Sequence, residues 1–353
     1  MPSVSLPIHG RGASGNPPNR FEPIAFERDA DCHDPDEQPH PATQFFRDTS
    51  RTIIAHNDSP DVGFEYSINP YRGCEHGCVY CYARPTHEYL SLGAGLDFES
   101  KIFVKLDAAN LLRRELTSKK WEPRTISLSG VTDCYQPAER RFRITRGCIE
   151  VLREFGNPLG IVTKSHLVTR DIDLLSDMAR RSLAAVFVSV TTLDSDLASK
   201  LEPRAASPNR RLDTIRQLRN AKIPCRVFVA PVIPGLTDHE IPQILRAAAD
   251  AGAMTCGFVP VRLPFALKDM FETWLEQHYP DRKSKVLNRI REIRGGKLNS
   301  SKFHERMRGE GEFADQMNQM FDLAKRRAGL DGPFPKLSTD HFRRSTKQLA
   351  LFQ

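Results

Sequence analysis

Six short runs rich in Val, Ile, Phe and Thr, separated by stretches with helical periodicity, restrict this chain to very few architectures. They are GFEYSIN (63–69), TISLSG (125–130), LGIVTKS (159–165), AAVFVSVTT (184–192), PCRVFVAPVIP (224–234) and TCGFVPVRLP (255–264). Between them, Phe142, Cys148, Ile149, Leu152 and Phe155 recur at helical spacing before Gly156, and Ile241, Ile244, Leu245 and Ala248 do so before Gly252. Strands joined by helical crossovers pair in parallel, and the crossovers share one hand. Six units fall short of a closed eight-stranded barrel. The expected fold is therefore α/β, a partial (β/α)6 TIM-like barrel of parallel strands, with ligands gathering at the C-terminal ends of the strands.

The flanks read differently. Residues 1–60 are rich in Pro, Asp, His and Gly with little periodicity, so an extended arm is expected there. The barrel core is expected over 61–265, a charged helical extension over 266–330 and a tail over 331–353. Net charge is +7 over 353 residues. From Asp281 to Gln353 there are 17 Lys+Arg against 9 Asp+Glu, a net of +8, so the remainder carries −1. A basic segment of this kind suits a polyanion, and DNA is the expected partner, although a solvated basic surface has the same composition. No window approaches eighteen consecutive apolar residues, and MPSVSLPIHGRGASGNPPNR has neither the charged start nor the apolar middle of a secretory signal, so a cytoplasmic protein without a membrane partner is expected.

Eight cysteines, three clustered and five scattered, do not form a disulfide framework. Cys74, Cys78 and Cys81 make C-x3-C-x2-C directly after the first predicted strand, with Gly73 and Gly77 free to curl the backbone around them. Three chemistries compete for this run. A tetrahedral zinc needs a fourth ligand, for which His76 is near, but no second ligand pair is present. A redox dithiol uses Cys78 and Cys81 and leaves Cys74 unexplained. A 4Fe-4S cluster takes three thiolates and leaves one iron open to a small molecule.

The cysteine run, with an aromatic residue before its last thiol and a β/α series behind it, resembles the radical S-adenosylmethionine (SAM) superfamily. CVYCYARP, SGVTDCYQPAER, IVTKS, VSVTTLD, LEPRAASPNRRLDTI and VAPVIPGLTD resemble its spore photoproduct lyase-like branch, in particular a bacterial subfamily whose members share the opening GRGASGNPPNRFE. The likeness covers most of the chain. It implies a 4Fe-4S cluster on Cys74, Cys78 and Cys81, SAM on the open iron, a low-potential electron donor and hydrogen abstraction from a substrate. Carried over by position, Tyr80 and Tyr82 would flank the SAM nucleoside. Thr132, Lys164 and Ser189 would hold its polar groups, and Ala230 would offer backbone to the adenine. SAM presents an ammonium, a carboxylate, ribose hydroxyls and an adenine, so a lysine, short hydroxyl side chains and backbone edges suit it. Strand-end Ser and Thr also suit helix caps. Asp133 fits either a cap or an orienting group. Glu202 and Arg204 fit a mutual pair, contacts to the amino-acid end of SAM, or a surface salt bridge.

The chain departs from the lyases at one point. Where they carry a hydrogen-returning cysteine, before a Thr/Ser-Ser-Asp triplet, this chain has Gly130 in SGVTDCYQP. That puts photoproduct reversal in doubt and leaves Cys134 and Tyr135 as candidate hydrogen-atom donors, with a small, half-buried loop residue as the plain alternative for Cys134. At the other end, QLALF resembles the peptide that binds the bacterial sliding clamp, with Gln348, Leu349, Leu351 and Phe352 as its anchors, while a tail folded back on its own domain is the alternative. The expected activity is that of a radical SAM enzyme, acting on a DNA lesion, or on a small molecule, protein or RNA. A nucleic-acid-binding protein with a structural iron–sulfur or zinc site is the alternative from another class.

Overall fold

The computed structural model describes residues 10–22 and 42–344. All six predicted runs are strands of one sheet: β1 (Tyr66–Ile68), β2 (Ile126–Leu128), β3 (Leu159–Thr163), β4 (Ala184–Ser189), β5 (Cys225–Val232) and β6 (Thr255–Pro260). They lie in sequence order and pair in parallel throughout, and a short antiparallel strand, Ile54–His56, covers the open edge of β1. An edge strand of 3 residues offers little for another chain to pair with. The crossovers include α1 (Ala108–Thr117), α2 (Ile144–Phe155), α3 (Ile172–Ala179), α4 (Pro208–Asn220) and α5 (Ile241–Ala251). Pro208 opens α4, and Gly156 and Gly252 close α2 and α5 in the left-handed region that glycine tolerates.

Side-chain alternation sorts the sheet into two faces. Ile126, Leu128, Ile161, Val186 and Val188 point outward into the apolar layer beneath the helices. Phe187 and Phe228 point inward and stack with centroids 5.5 Å apart. Their neighbours across the sheet are glycines for a steric reason: a Cβ on Gly160 would lie 3.2 Å from the Phe187 ring, and one on Gly257 would lie 2.8 Å from the Phe228 ring.

Two segments take roles that composition did not reveal. Part of the predicted arm is structured, since Gln44–Arg47 pairs in parallel with Lys101–Val104 in a small three-stranded sheet. Residues 331–344 pack on the barrel instead of trailing from it. Phe334 meets Phe187, the Ser338 and Arg343 amides donate to the Ser182 and Phe155 carbonyls, and the Arg344 guanidinium donates to the Trp121 carbonyl. Pro333 and Pro335 keep this stretch extended while Phe334 and Phe342 supply its apolar anchors. After β6 come α6 (Leu267–His278), α7 (Pro280–Glu292) and α8 (Glu312–Arg327). Among the described residues no helix is long and apolar enough to cross a membrane. Cys32 and the predicted clamp peptide at Gln348, Leu349, Leu351 and Phe352 lie outside the described residues.

Candidate functional site

The cysteine loop leaves β1 at its C-terminal end, as the strand order requires. Gly73 and Gly77 both adopt positive φ, +78° and +68°. A Cβ at Gly73 would come within 2.9 Å of the Phe98 carbonyl oxygen, so only glycine turns the chain this tightly. The loop is held from behind by Arg84, fully buried, whose guanidinium donates to the carbonyls of Gly77 (3.0 Å), Cys78 (2.9 Å) and Gly95 (2.8 Å) and to Glu99 Oε2 (2.6 Å). Gln136 ties the loop to the segment after β2, accepting from the Glu75 amide (2.9 Å) and donating to the Gly73 carbonyl (3.0 Å). A buried charge bonded to carbonyls and a carboxylate is compensated on every side, which favours one loop geometry.

Cys74 and Cys78 are buried and Cys81 is half-buried. Burial pushes all three thiols up, and for Cys74 the neighbouring Asp133, Cys78 and Cys81 add to the rise. Thiols close enough to feel one another in a dry loop need a strong positive centre to become thiolates. Among the described residues no three His, Cys, Asp or Glu side chains converge as a single metal ion would require. Zinc binds all its ligands within about 2.3 Å of one point, whereas a four-iron cluster is larger and takes thiolates that stand further apart. Three cysteines on one loop, Cys78 and Cys81 near enough to raise the Cys74 thiol, are the donor set such a cluster takes. His76, the candidate fourth zinc ligand, instead directs Nδ1 toward Asp133 Oδ2 at 3.4 Å and is held neutral by burial.

The N-terminal segment lies on this loop. Ala13 is buried, the Gly12 amide reaches Glu99 Oε2 (3.2 Å), and Arg11 donates to the Glu99 carbonyl. A Cβ on Gly12 would sit 1.8 Å from the Gly77 carbonyl oxygen, and one on Gly95 would sit 1.8 Å from that of Gly15. The glycines of GRGASG permit a backbone-to-backbone fit against the cysteine loop.

Around the mouth the structure gathers a polar network. Lys164, just past the end of β3, donates from Nζ to the Ala230 carbonyl (2.8 Å) and to Thr191 Oγ1 (3.2 Å), lies 3.1 Å from Glu202 Oε1 and stands 5.7 Å over the Tyr80 ring. Tyr80 donates its hydroxyl to Glu202. Burial, reinforced by Arg211, lowers the Lys164 ammonium to about 8. Glu202 is buried and also pairs with buried Arg211, which donates further to the Ser189 carbonyl (3.2 Å). Glu202 and Arg204 do not pair with each other: Arg204 bonds to Glu75 Oε1 at 2.8 Å, so each acid has its own guanidinium. Asp133 accepts from the Tyr135 amide (2.8 Å), which makes it a local turn acceptor. It also accepts from Thr163 Oγ1 (2.8 Å) and the Lys164 amide (2.8 Å), so it fastens the end of β2 to the end of β3.

The remaining candidates divide. Tyr82, half exposed, donates to the Gly130 carbonyl (3.0 Å) under the Arg262 guanidinium, 4.5 Å from its ring. Ser189 lies at the end of β4, nearly buried. Thr132 is turned away, its hydroxyl donating to the Tyr71 carbonyl (3.0 Å). Cys134 and Tyr135 are not brought to the mouth. Both are fully buried in the apolar layer with Leu128, Cys148 and Ile149, and the Tyr135 hydroxyl donates to Asp171 Oδ2 (2.9 Å). Neither offers an exposed hydrogen atom. Sequence reasoning missed Arg84, Thr191 and Arg211. Thr191 follows Ser189 by two residues on the same strand-end face, a period-2 signal that was legible.

Comparison with known proteins agrees with this geometry. The family model for the radical SAM superfamily matches residues 68–248, more than half of the chain. An uncharacterised protein of Mycobacterium tuberculosis is 38% identical over 232 residues, 65% of this chain and 67% of that one. A radical SAM Nα-GlyT isomerase of Pseudomonas phage M6 is 29% identical over 172 residues, 48% of this chain and 34% of that one. Among solved structures, spore photoproduct lyase complexed with dinucleoside spore photoproduct aligns over 80% of this chain and 78% of its own with a TM-score of 0.54 and 18% identity, which establishes a shared fold. With three thiols on a loop at the mouth of a parallel half-barrel, and the family match running from the end of β1 into α5, this chain belongs to the radical SAM superfamily.

Proposed function

We propose that the substrate of this radical SAM enzyme is a nucleobase or sugar within DNA. The observation that carries the reading is the seat of the basic segment. α7, the first helix of the stretch whose net charge is +8, buries Val286, Leu287 and Ile290 in the same apolar cluster as Cys78, Val79 and Tyr80. A polyanion attracted to that stretch is brought to the cysteine loop. The fold shared with a lyase complexed with a dinucleoside photoproduct supports the same direction.

Cys74, Cys78 and Cys81 would hold the cluster, and Lys164, Ser189, Tyr80 and the Ala230 carbonyl would form the bed for SAM. When bound, cluster and SAM together supply an electron-driven cleavage that yields a carbon radical able to take hydrogen from substrate. The protein's part is to orient and to exclude water: Tyr80 is fixed by Glu202, Lys164 by three oxygens, and the loop by Arg84. One observation argues against photoproduct reversal. A Cβ at Gly130 would stand 2.8 Å from Ser67 Oγ, so a side chain at the position where the lyases carry a hydrogen-returning thiol would have to displace Ser67. The reaction accordingly ends without a cysteine at that site. The test is anaerobic reconstitution with iron and sulfide, followed by measurement of 5′-deoxyadenosine from SAM with dithionite, with and without lesion-bearing duplex DNA, beside Cys78→Ala. Cysteine-dependent product that rises with DNA supports the reading; product indifferent to every DNA tested refutes the substrate assignment.

A further inference from the structure

A cleft of about 360 Å³ opens between the turn after β5 and helix α7, lined by Asp238, His239, Arg282, Lys285, Arg289 and Phe313. Arg282, Lys285 and Arg289 stand at i, i+3 and i+7 of α7, which places all three on one face. Their charges are not equally committed. Arg289 pairs with Glu292 (2.6 Å) and lies 4.3 Å over the Phe313 ring. Arg282 and Lys285 are exposed, and among the described residues their side chains have no ion pair or hydrogen-bond partner. The single carboxylate in the lining, Asp238, already accepts from the Gly235 amide at 2.8 Å. The cleft therefore presents two unpaired cations and a third anchored guanidinium in a concave site, where they outnumber the one carboxylate of the lining, Asp238.

Its location gives the charge a use. The turn Gly235–His239 leaves the C-terminal end of β5, the end of the barrel at which the cysteine loop sits. A neighbouring face of α7 buries Val286, Leu287 and Ile290 in the same apolar cluster as Tyr80 and Cys78. One helix thus joins the cluster that holds part of the cysteine loop and offers cations on another face. A ligand held there would be anchored to the element that positions the reactive centre, yet outside the centre itself.

We infer that this cleft binds a phosphate group of the nucleic-acid substrate, clamping the strand backbone beside the barrel mouth. The inference rests on the DNA reading above. Phosphate oxygens accept from several donors at once, and arginine and lysine in a shallow cleft fix the register of a strand while leaving base choice to the mouth.

The test compares full-length wild type, Arg282→Ala/Lys285→Ala, and Lys119→Ala/Lys120→Ala. The last removes the same charge from two exposed lysines just before β2, at the opposite end of the barrel. Binding of a fluorescent duplex is measured from about 50 to 200 mM salt. Loss of the one phosphate held there lowers the log–log salt slope by about 1 and weakens affinity about tenfold in the cleft variant only. Equal binding and equal slopes for the two double variants overturn the inference while leaving the DNA reading intact. If wild type binds no DNA, that reading falls, and titration with a 5′-mononucleotide decides the cleft. Saturable binding lost only in Arg282→Ala/Lys285→Ala keeps a phosphate site for a free nucleotide, and no binding removes the site altogether.

Discussion

Replacing Glu202 by Gln removes one negative charge from a site where two cations depend on it. Lys164 Nζ lies 3.1 Å from its Oε1, and Arg211, itself buried, donates to its other oxygen. Gln keeps the size and one acceptor, so the change isolates charge from packing. Breaking a buried pair by removing one partner typically costs about 3–5 kcal/mol, because the remaining charge stays buried without compensation. The surviving acceptors, the Ala230 and Ser189 carbonyls and Thr191, place the expected loss near the lower end, about 3 kcal/mol. For a chain of 353 residues, with an unfolding entropy of roughly 2.1 cal/mol/K per residue, that is a fall in Tm of roughly 4 °C. Thermal and urea unfolding of the metal-free protein measure it. The double variant Glu202→Gln/Lys164→Met is expected to recover part of the loss, since it removes one of the two stranded cations. A single variant within about 1 kcal/mol of wild type, or a double variant that is simply additive, would refute the claim that Glu202 is the counter-ion of this network.

Other consequences are open to measurement. Gly12→Val cannot keep its contact with the Gly77 carbonyl; the variant should expose residues 10–22 to protease and lose iron faster in air, with little change in global Tm. Gly130→Ala should lose activity through displacement of Ser67, and Ser67→Gly should restore it in the double variant. His87 is buried against Phe98, its Nε2 paired with the Lys101 carbonyl and its Nδ1 without a hydrogen-bond partner among the described residues, and burial lowers it to about 4. The unfolded chain binds that proton near pH 6.5 and the folded chain does not, so stability present above pH 6.5 is lost as pH falls toward 4, by about 3 kcal/mol. Urea unfolding of His87→Gln should show a flatter pH dependence across that window.

The strands were legible because each run mixes β-branched residues with a turn signal, and because the parallel order follows from helical crossovers. The cysteine loop was legible for a similar reason: three ligands and two glycines lie within nine residues. What was hidden depends on contacts distant in sequence. Glu202 chose Arg211 over Arg204 because a helix start, not proximity in sequence, brings Arg211 back under it. Cys134 and Tyr135 looked available because the loop after β2 reads as polar, yet Thr145 and Asp171 receive that loop from α2 and the start of α3, and turn both side chains into the core. The N-terminal arm lacks any periodicity, so nothing local announced that its glycines match the backbone of residues 77–95.

That match has a bearing on how the protein matures. Residues 10–22 leave the ribosome well before the loop they cover, and they close over it only once the loop has taken its glycine-turned shape. A cluster held by Cys74, Cys78 and Cys81 would have to be assembled on the same loop. Delivery and closure therefore draw on a single folded surface, and by reciprocity whatever tightens one must shift the other by the same factor.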